Sequence, residues 1–215
     1  RVLTAYRRAA DYLLEEGASP YEIDAAMRAF GFKMGPYEVL DLAGLDISWA
    51  RRRRLADSRS PEERYVRIGD LLCEAGRLGQ KTEAGYYDYP HGPRAPQVSP
   101  DVLTLLDEER LAKGIAPRAI GAEEIQGSCL RAMVNEGCRI LDEGIADRAS
   151  DIDVVMTLGF GFPRHKGGPM KTGEQSGLLA MLRALEKDAG EDPFWTPAEA
   201  LREAIKNGSR CEGLL

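Results

Sequence analysis

Several groups of residues in this chain have the types and spacing to do chemistry. His165-Lys166-Gly167-Gly168-Pro169 is basic and glycine-rich, and it stands where a helix would begin, so it could cradle an anion. No Gly-Lys-Ser/Thr follows, which excludes a P-loop, and a loop shaped by its glycines accounts for the segment better. Arg51-Arg52-Arg53-Arg54 could contact phosphates, but four successive helical residues spread over about 400° and cannot form one patch. A solvated helix face is the expectation. Glu15-Glu16 and Asp142-Glu143 resemble paired acid/base carboxylates, yet both pairs precede a glycine at the end of a helix, which argues for structure. His91 and His165 lack a strand-turn-helix nucleophile context. Cys73, Cys129, Cys138 and Cys211 form no C-x-x-C pair, so no metal site is expected and reduced thiols are. No G-x-G-x-x-G occurs, so the chain carries no dinucleotide-binding βαβ unit of its own.

The elements that must position these residues are helices. Val2, Leu3, Tyr6, Ala9, Ala10, Leu13 and Leu14 repeat at helical spacing up to Gly17. Ser19-Pro20-Tyr21-Glu22 reads as a capping box with proline at the first helical position. The helix it opens carries Ile23, Ala26, Met27 and Phe30 and stops at Gly31. Gly35-Pro36 starts another, with Val39, Leu40 and Ala43 inward. Further amphipathic stretches cover 62–75, 101–113, 122–143, 151–158, 174–189 and 197–206. Only the Tyr86–Tyr89 run hints at a strand.

An internal repeat organises the chain. Leu13-Leu14-Glu15-Glu16-Gly17 returns as Ile140-Leu141-Asp142-Glu143-Gly144, and Ser19–Met27 is echoed by Ser150–Met156. Phe30-Gly31-Phe32 then Gly35-Pro36 return as Phe160-Gly161-Phe162 then Gly168-Pro169. Between the copies, Pro90, Pro93, Pro96 and Pro100 cannot continue a helix. The expected organisation is a first helical lobe at 1–89, a proline-rich linker at 90–100 and a second helical lobe at 101–215. The fold class is all-α.

Composition excludes other classes. The 215 residues carry 35 acidic against 29 basic side chains, net −6, the opposite of a nucleic-acid footprint. No apolar run approaches the ~18 residues of a membrane span. The chain opens at Arg1 without methionine or a signal-like segment and is expected to be a piece of a longer protein.

Three stretches carry a resemblance. Phe30-Gly31-Phe32-Lys33-Met34-Gly35-Pro36-Tyr37 with Leu40–Asp46, and Gly79-Gln80-Lys81-Thr82-Glu83-Ala84-Gly85-Tyr86-Tyr87, resemble signatures of the 3-hydroxyacyl-CoA dehydrogenase C-terminal domain. Val134-Asn135-Glu136, Glu143–Ala146, Gly159–Pro163 and Lys166–Met170 resemble its second copy. That copy occurs in multifunctional enzymes that join enoyl-CoA hydratase to the dehydrogenase, and the wording is nearest the peroxisomal type and its bacterial relatives.

The resemblance implies two lobes of the 6-phosphogluconate-dehydrogenase C-terminal-domain-like fold, packed about a pseudo-two-fold axis. It implies a part in NAD-dependent oxidation of 3-hydroxyacyl-CoA to 3-ketoacyl-CoA in fatty-acid β-oxidation. The His–Glu pair of that reaction, and most of the NAD contacts, belong to a Rossmann domain outside this sequence, so no catalytic residue is assigned here. The chain alone is expected to be inactive. Lys81 matches a lysine that reaches the cofactor; Met34, Gly35 and Pro36 match the wall of the acyl-thioester cleft. The sequence departs from the pattern at Leu158, where some relatives have a substrate-contacting tyrosine. Glu83 stands where the family has glycine, a change expected to alter the turn, and Lys171-Thr172-Gly173 replaces an aromatic-led segment. The expected partner is acyl-CoA, reached through N-terminal domains, with no nucleic acid and no membrane span. Because the second copy can take a dimer partner's place, the chain is expected to be a monomer, with the four phenylalanines of the two copies near the shared core. The rival reading is a free-standing helical assembly module, and a sugar-acid dehydrogenase with a related helical domain fits the signatures less well. Arginine outnumbers lysine 22 to 7, and Gly213-Leu214-Leu215 is not of the S-K-L type, so bacterial cytoplasm is expected ahead of the peroxisome.

Overall fold

The computed structural model describes residues 1–59 and 63–208, so Cys211, Gly213–Leu215 and the start of the 62–75 stretch lie outside the described residues. Among the described residues eleven α-helices and one two-stranded sheet form, so the chain is all-α as expected. The helices are α1 (Val2–Glu16), α2 (Pro20–Phe30), α3 (Pro36–Ala43), α4 (Leu45–Arg54), α5 (Ile68–Glu74) and α6 (Pro100–Ala112). There follow α7 (Ala122–Asp142), α8 (Ala149–Gly159), α9 (Pro169–Ser176), α10 (Leu178–Ala189) and α11 (Glu199–Lys206). Strand β1 (Tyr87–Asp88) pairs antiparallel with β2 (Gln97–Val98), Tyr87 opposite Val98.

The punctuation works as its chemistry demands. The Glu22 carboxylate accepts from the Ser19 N–H at 2.8 Å, and the Glu22 N–H donates to Ser19 Oγ at 3.2 Å, closing the capping box of α2. The buried Arg110 of α6 donates to the carbonyls of Leu14 at 2.6 Å and Ala18 at 2.8 Å, satisfying acceptors that the end of α1 leaves open. Two expected boundaries move. The stretch 174–189 is broken at Gly177, whose φ of +96° ends α9 and turns the chain into α10. The stretch 62–75 is helical only from Ile68; in the irregular segment before it, Arg64 reaches Glu15 at 2.9 Å and Glu16 at 3.0 Å.

The described residues gather into two compact units, neither continuous in sequence. One comprises Arg1–Ala10, Phe30–Lys33 and the chain from Gln126; the other comprises Asp11–Ala29 and Met34–Ile125. In the first, Phe32 stacks on Tyr6 at 5.6 Å between centroids and meets Phe162 edge-on at 5.4 Å, with Phe30 5.8 Å from Phe162. Three of the four repeat phenylalanines thus share one cluster, while Phe160 is 48% exposed. Gly137 and Gly173 let α7 and α9 close up, because a β-carbon on Gly173 would overlap Val134 and one on Gly137 would overlap Met170.

In the second unit the buried Asp24 of α2 sits over the start of α3. Its carboxylate accepts the N–H of Tyr37 and of Glu38, each at 2.9 Å. Gly35 has an ordinary φ of −75°, so its glycine is required by space: any β-carbon would overlap the Asp24 carboxylate. Pro36 occupies the first helical position, where no N–H is needed. Gly35→Ala is therefore expected to destabilise the fold by about 2–3 kcal/mol, the range for forcing a methyl into a packed site and loosening a buried hydrogen bond. Urea unfolding that shows a loss under about 0.5 kcal/mol would mean that the loop absorbs the methyl.

Candidate functional site

The Gly-Pro signature is built twice from the same parts. In the first unit Asp153 of α8 accepts the N–H of Met170 at 2.7 Å and of Lys171 at 3.0 Å, and a β-carbon on Gly168 would overlap its carboxylate. A third carboxylate, Asp41 on α3, accepts the N–H of Tyr86 at 2.8 Å, the N–H of Tyr87 at 2.9 Å and the Tyr89 hydroxyl at 2.9 Å. Gly85 lies against this carboxylate and Gly79 against the Asp41 carbonyl, so neither position has room for a β-carbon. The spacing of Gly79–Tyr87 is therefore that of a turn folded around one buried acid.

Burial shapes the acidity of all three acids. It pushes Asp24 up to about 7, against the pull of its two backbone donors and of the Tyr87 hydroxyl, which donates at 2.8 Å. Burial likewise raises Asp41 to about 6 and Asp153 to about 6. The three are structural latches, and the sequence reasoning missed them. Its available signal was an acid at the same place in both repeats, Ile23-Asp24 and Ile152-Asp153, inside an apolar helix face.

Met34, Gly35 and Pro36 stand at the start of α3, with Gly35 and Pro36 buried and Met34 half-buried. Lys81 stands on a 3-10 turn (Gln80–Thr82) beside Gly44, at the far end of α3, about 12 Å of helix away. The structure does not bring these two sets together. The Lys81 ammonium lies 2.5 Å from an Asp46 carboxylate oxygen and holds that carboxyl below its ordinary range. Glycine at 44 leaves room for this, since a β-carbon there would come within 3.3 Å of Lys81 Nζ. An ammonium has three donors, and the Lys81 side chain is 49% exposed, so the residue fits a role in holding a polar group of a cofactor.

The remaining candidates resolve into structure. Buried Glu15 is clamped between Arg64 and Lys113, Asp142 accepts the Ala200 N–H at 2.9 Å, and Glu143 pairs with Arg1 at 2.8 Å. Arg51, Arg53 and Arg54 are exposed as expected, but Arg52 turns inward to Asp70 at 2.6 Å. The Met170 and Lys171 amides in the first turn of α9 are already taken by Asp153, so they are not open to an anion. Leu158 is 66% exposed. Glu83 itself adopts φ +58°, the left-handed backbone that glycine would take freely, and its carbonyl accepts the Tyr89 N–H at 2.9 Å.

The model of the family described as 3-hydroxyacyl-CoA dehydrogenase, C-terminal domain, matches residues 1–89 and 126–211. The chain belongs to this family. A peroxisomal bifunctional enzyme of Cavia porcellus is 43% identical over 97% of the chain, which covers 31% of that enzyme. A glyoxysomal fatty acid beta-oxidation multifunctional protein of Brassica napus is 32% identical, with 97% of this chain and 29% of that protein covered. The dehydrogenase part of a multifunctional enzyme from C. elegans superposes with a TM-score of 0.73 at 28% identity, covering 94% of this chain and 46% of that one. The chain thus spans about a third of the length of the curated relatives. Their peroxisomal and glyoxysomal names overturn the expected bacterial cytoplasm. The arginine excess behind that expectation follows coding composition, which says nothing of compartment.

Two expectations follow from these side chains. An exposed glutamate at φ +58° bears a left-handed backbone that glycine adopts freely, so Glu83→Gly is expected to raise stability by about 1 kcal/mol. An unchanged or lower urea midpoint would show that the glutamate side chain repays its strain. For Asp24, the folded chain keeps a proton that the unfolded chain has released, over the window from about 4 to about 7. Stability from this group is complete below that window and is lost as pH rises through it. The deficit of Asp24→Asn, which cannot ionise, should therefore shrink between about pH 5 and about pH 7.5 in unfolding measurements. A deficit that grows with pH would mean that the latch is strongest when charged.

Proposed function

We propose that the chain acts as the helical C-terminal part of an NAD-dependent 3-hydroxyacyl-CoA dehydrogenase within a bifunctional β-oxidation enzyme. The match of the family model over residues 1–89 and 126–211 carries this reading. In it the two repeat copies at 1–89 and 101–215, joined by 90–100, form one helical half, and a Rossmann domain supplies the other. The peroxisomal and glyoxysomal relatives point to the same kind of compartment for the parent enzyme.

The geometry supports a supporting part in the reaction. Asp24 fixes Gly35 and Pro36, so the chain after Met34 enters α3 as a rigid, compact wall. Such a wall suits the side of a cleft that must exclude water from a hydride transfer between an acyl-CoA and a nicotinamide. NAD, when bound, accepts the hydride. Lys81, with donors to spare beside Asp46, is the residue of this chain that would hold a carboxamide, ribose or phosphate oxygen of the cofactor. The proton-abstracting pair and most cofactor contacts come from the Rossmann domain in this reading.

The test is the chain expressed with its upstream coding sequence and assayed for NADH formation from 3-hydroxybutyryl-CoA. Turnover is expected, whereas the 215-residue chain by itself should give none. Lys81→Ala in the longer enzyme should raise the KM for NAD by ~10- to 100-fold, the worth of one charge-assisted hydrogen bond, with a smaller change in kcat. An unchanged KM would remove Lys81 from the cofactor site. No turnover by the longer enzyme would favour the assembly-module reading.

A further inference from the structure

We propose that Lys33, Arg164, His165 and Lys166 form a binding site for the phosphate groups of an organic phosphate, held by side chains on two adjoining loops. All four belong to the same compact unit. The loops are joined by close contacts: a β-carbon on Gly31 would lie 3.0 Å from the Pro163 side chain and 3.1 Å from the His165 ring. Phe32 packs on Phe162, and the Lys166 ammonium stands 4.5 Å above the Phe30 ring. Lys33, Arg164 and His165 are exposed.

Charge and placement together mark the cluster. In a chain of net charge −6, Arg28, Arg52, Arg64, Arg77, Arg110 and Lys113 each hold a carboxylate partner. Among the described residues Lys33, Arg164 and Lys166 hold none, as other surface cations such as Arg51 and Arg183 do not; what distinguishes these three is that two touching loops carry them, with the His165 ring alongside. Lys166 is held by an aromatic face, which positions the ammonium without neutralising it. The placement also opposes the fold's own electrostatics. Arg164, His165 and Lys166 lie three to five residues before the start of α9, whose N-terminal end is positive and favours acids. Asp153 meets the helix amides with one charge, and the next cation, Lys171, already has Glu174 at 3.8 Å. Neither Asp153 nor Glu174 is shown bonding Arg164 or Lys166, so their charge remains available to a ligand.

A phosphomonoester suits this excess better than a carboxylate. It brings up to two negative charges and three acceptor oxygens, and the arginine fork can take two of them at once. On the dehydrogenase reading above, the phosphates are those of a coenzyme A thioester, whose 3′-phosphate distinguishes it from NAD. That identification rests on the reading; the phosphate chemistry stands on the cluster alone.

Calorimetric titration of the 215-residue chain with coenzyme A, dephospho-coenzyme A and inorganic phosphate tests it. Coenzyme A is expected to bind more tightly than dephospho-coenzyme A, with affinity falling as salt is raised. The double variant Lys33→Ala/Lys166→Ala should weaken binding about tenfold or more. Arg183→Ala, which removes an exposed charge on α10, should leave it unchanged. Because Lys166 touches Phe30, Lys33→Glu alone provides a second measure at an exposed position and should weaken binding as well. Inorganic phosphate binding as tightly as coenzyme A, and lost in the same variants, would assign the cluster to free phosphate. Binding of none of the three probes, or affinities unmoved by both sets of variants, overturns the proposal. A longer enzyme without turnover, in a chain that still binds these probes, counts against the dehydrogenase reading alone.

Discussion

A carboxylate taken out of water must be met by donors, and the structure turns that obligation into architecture. Asp24 and Asp153 each leave a helix side and spend both oxygens on the first free amides of the next helix. The demand runs outward from there. The acid can come close only if the residue before the helix has no β-carbon, and the helix can start abruptly only if its first residue needs no donor. Glycine followed by proline meets both conditions. A signature that invites a catalytic interpretation is thus first the imprint of a buried acid on its neighbours, and its rigidity is what a substrate cleft would use.

The two copies apply the principle with different trimming. In the first, Asp41 lies five residues after Pro36 and gathers the amides of Tyr86 and Tyr87, so the turn at Gly79–Tyr87 exists because α3 offers it an acid. In the second, Glu174 lies five residues after Pro169 and pairs with Lys171. The ends match again: Gly44 and Gly177 both sit at positive φ and hand the chain directly to a leucine that starts the next helix. What differs between the copies is what each acid is asked to hold.

Much of this was legible in the sequence where the signal is local. The capping box at Ser19–Glu22, the glycine after α1 and the short Tyr86–Tyr89 excursion depend on neighbours in the chain, and so did the family resemblance, which rests on contiguous words. What escaped was long-range or geometric. Nothing near Asp24 announces that its partners are thirteen residues on, and Gly177 looks like one glycine in a helical pattern until its φ is known. Arg52 is indistinguishable from its three neighbours until Asp70 selects it. Glu83 is a further case: its residue type gives no sign of the positive φ it adopts in a turn whose Tyr89 bonds both the Glu83 carbonyl and Asp41.

The discontinuity of the compact units has a consequence for the chain's birth. Arg1–Ala10 and Phe30–Lys33 belong with residues from Gln126 onward, so they emerge from the ribosome long before the surroundings that bury them. At ordinary elongation rates the delay before Phe162 appears is roughly 7–30 s. Tyr6, Phe30 and Phe32 spend that interval without Phe162, as apolar groups on a nascent chain whose other unit can already close around Asp24 and Asp41. Synthesis order therefore completes the aromatic junction well after the other unit can close, and makes these early aromatic residues natural clients of the chaperones that meet a polypeptide at the exit tunnel.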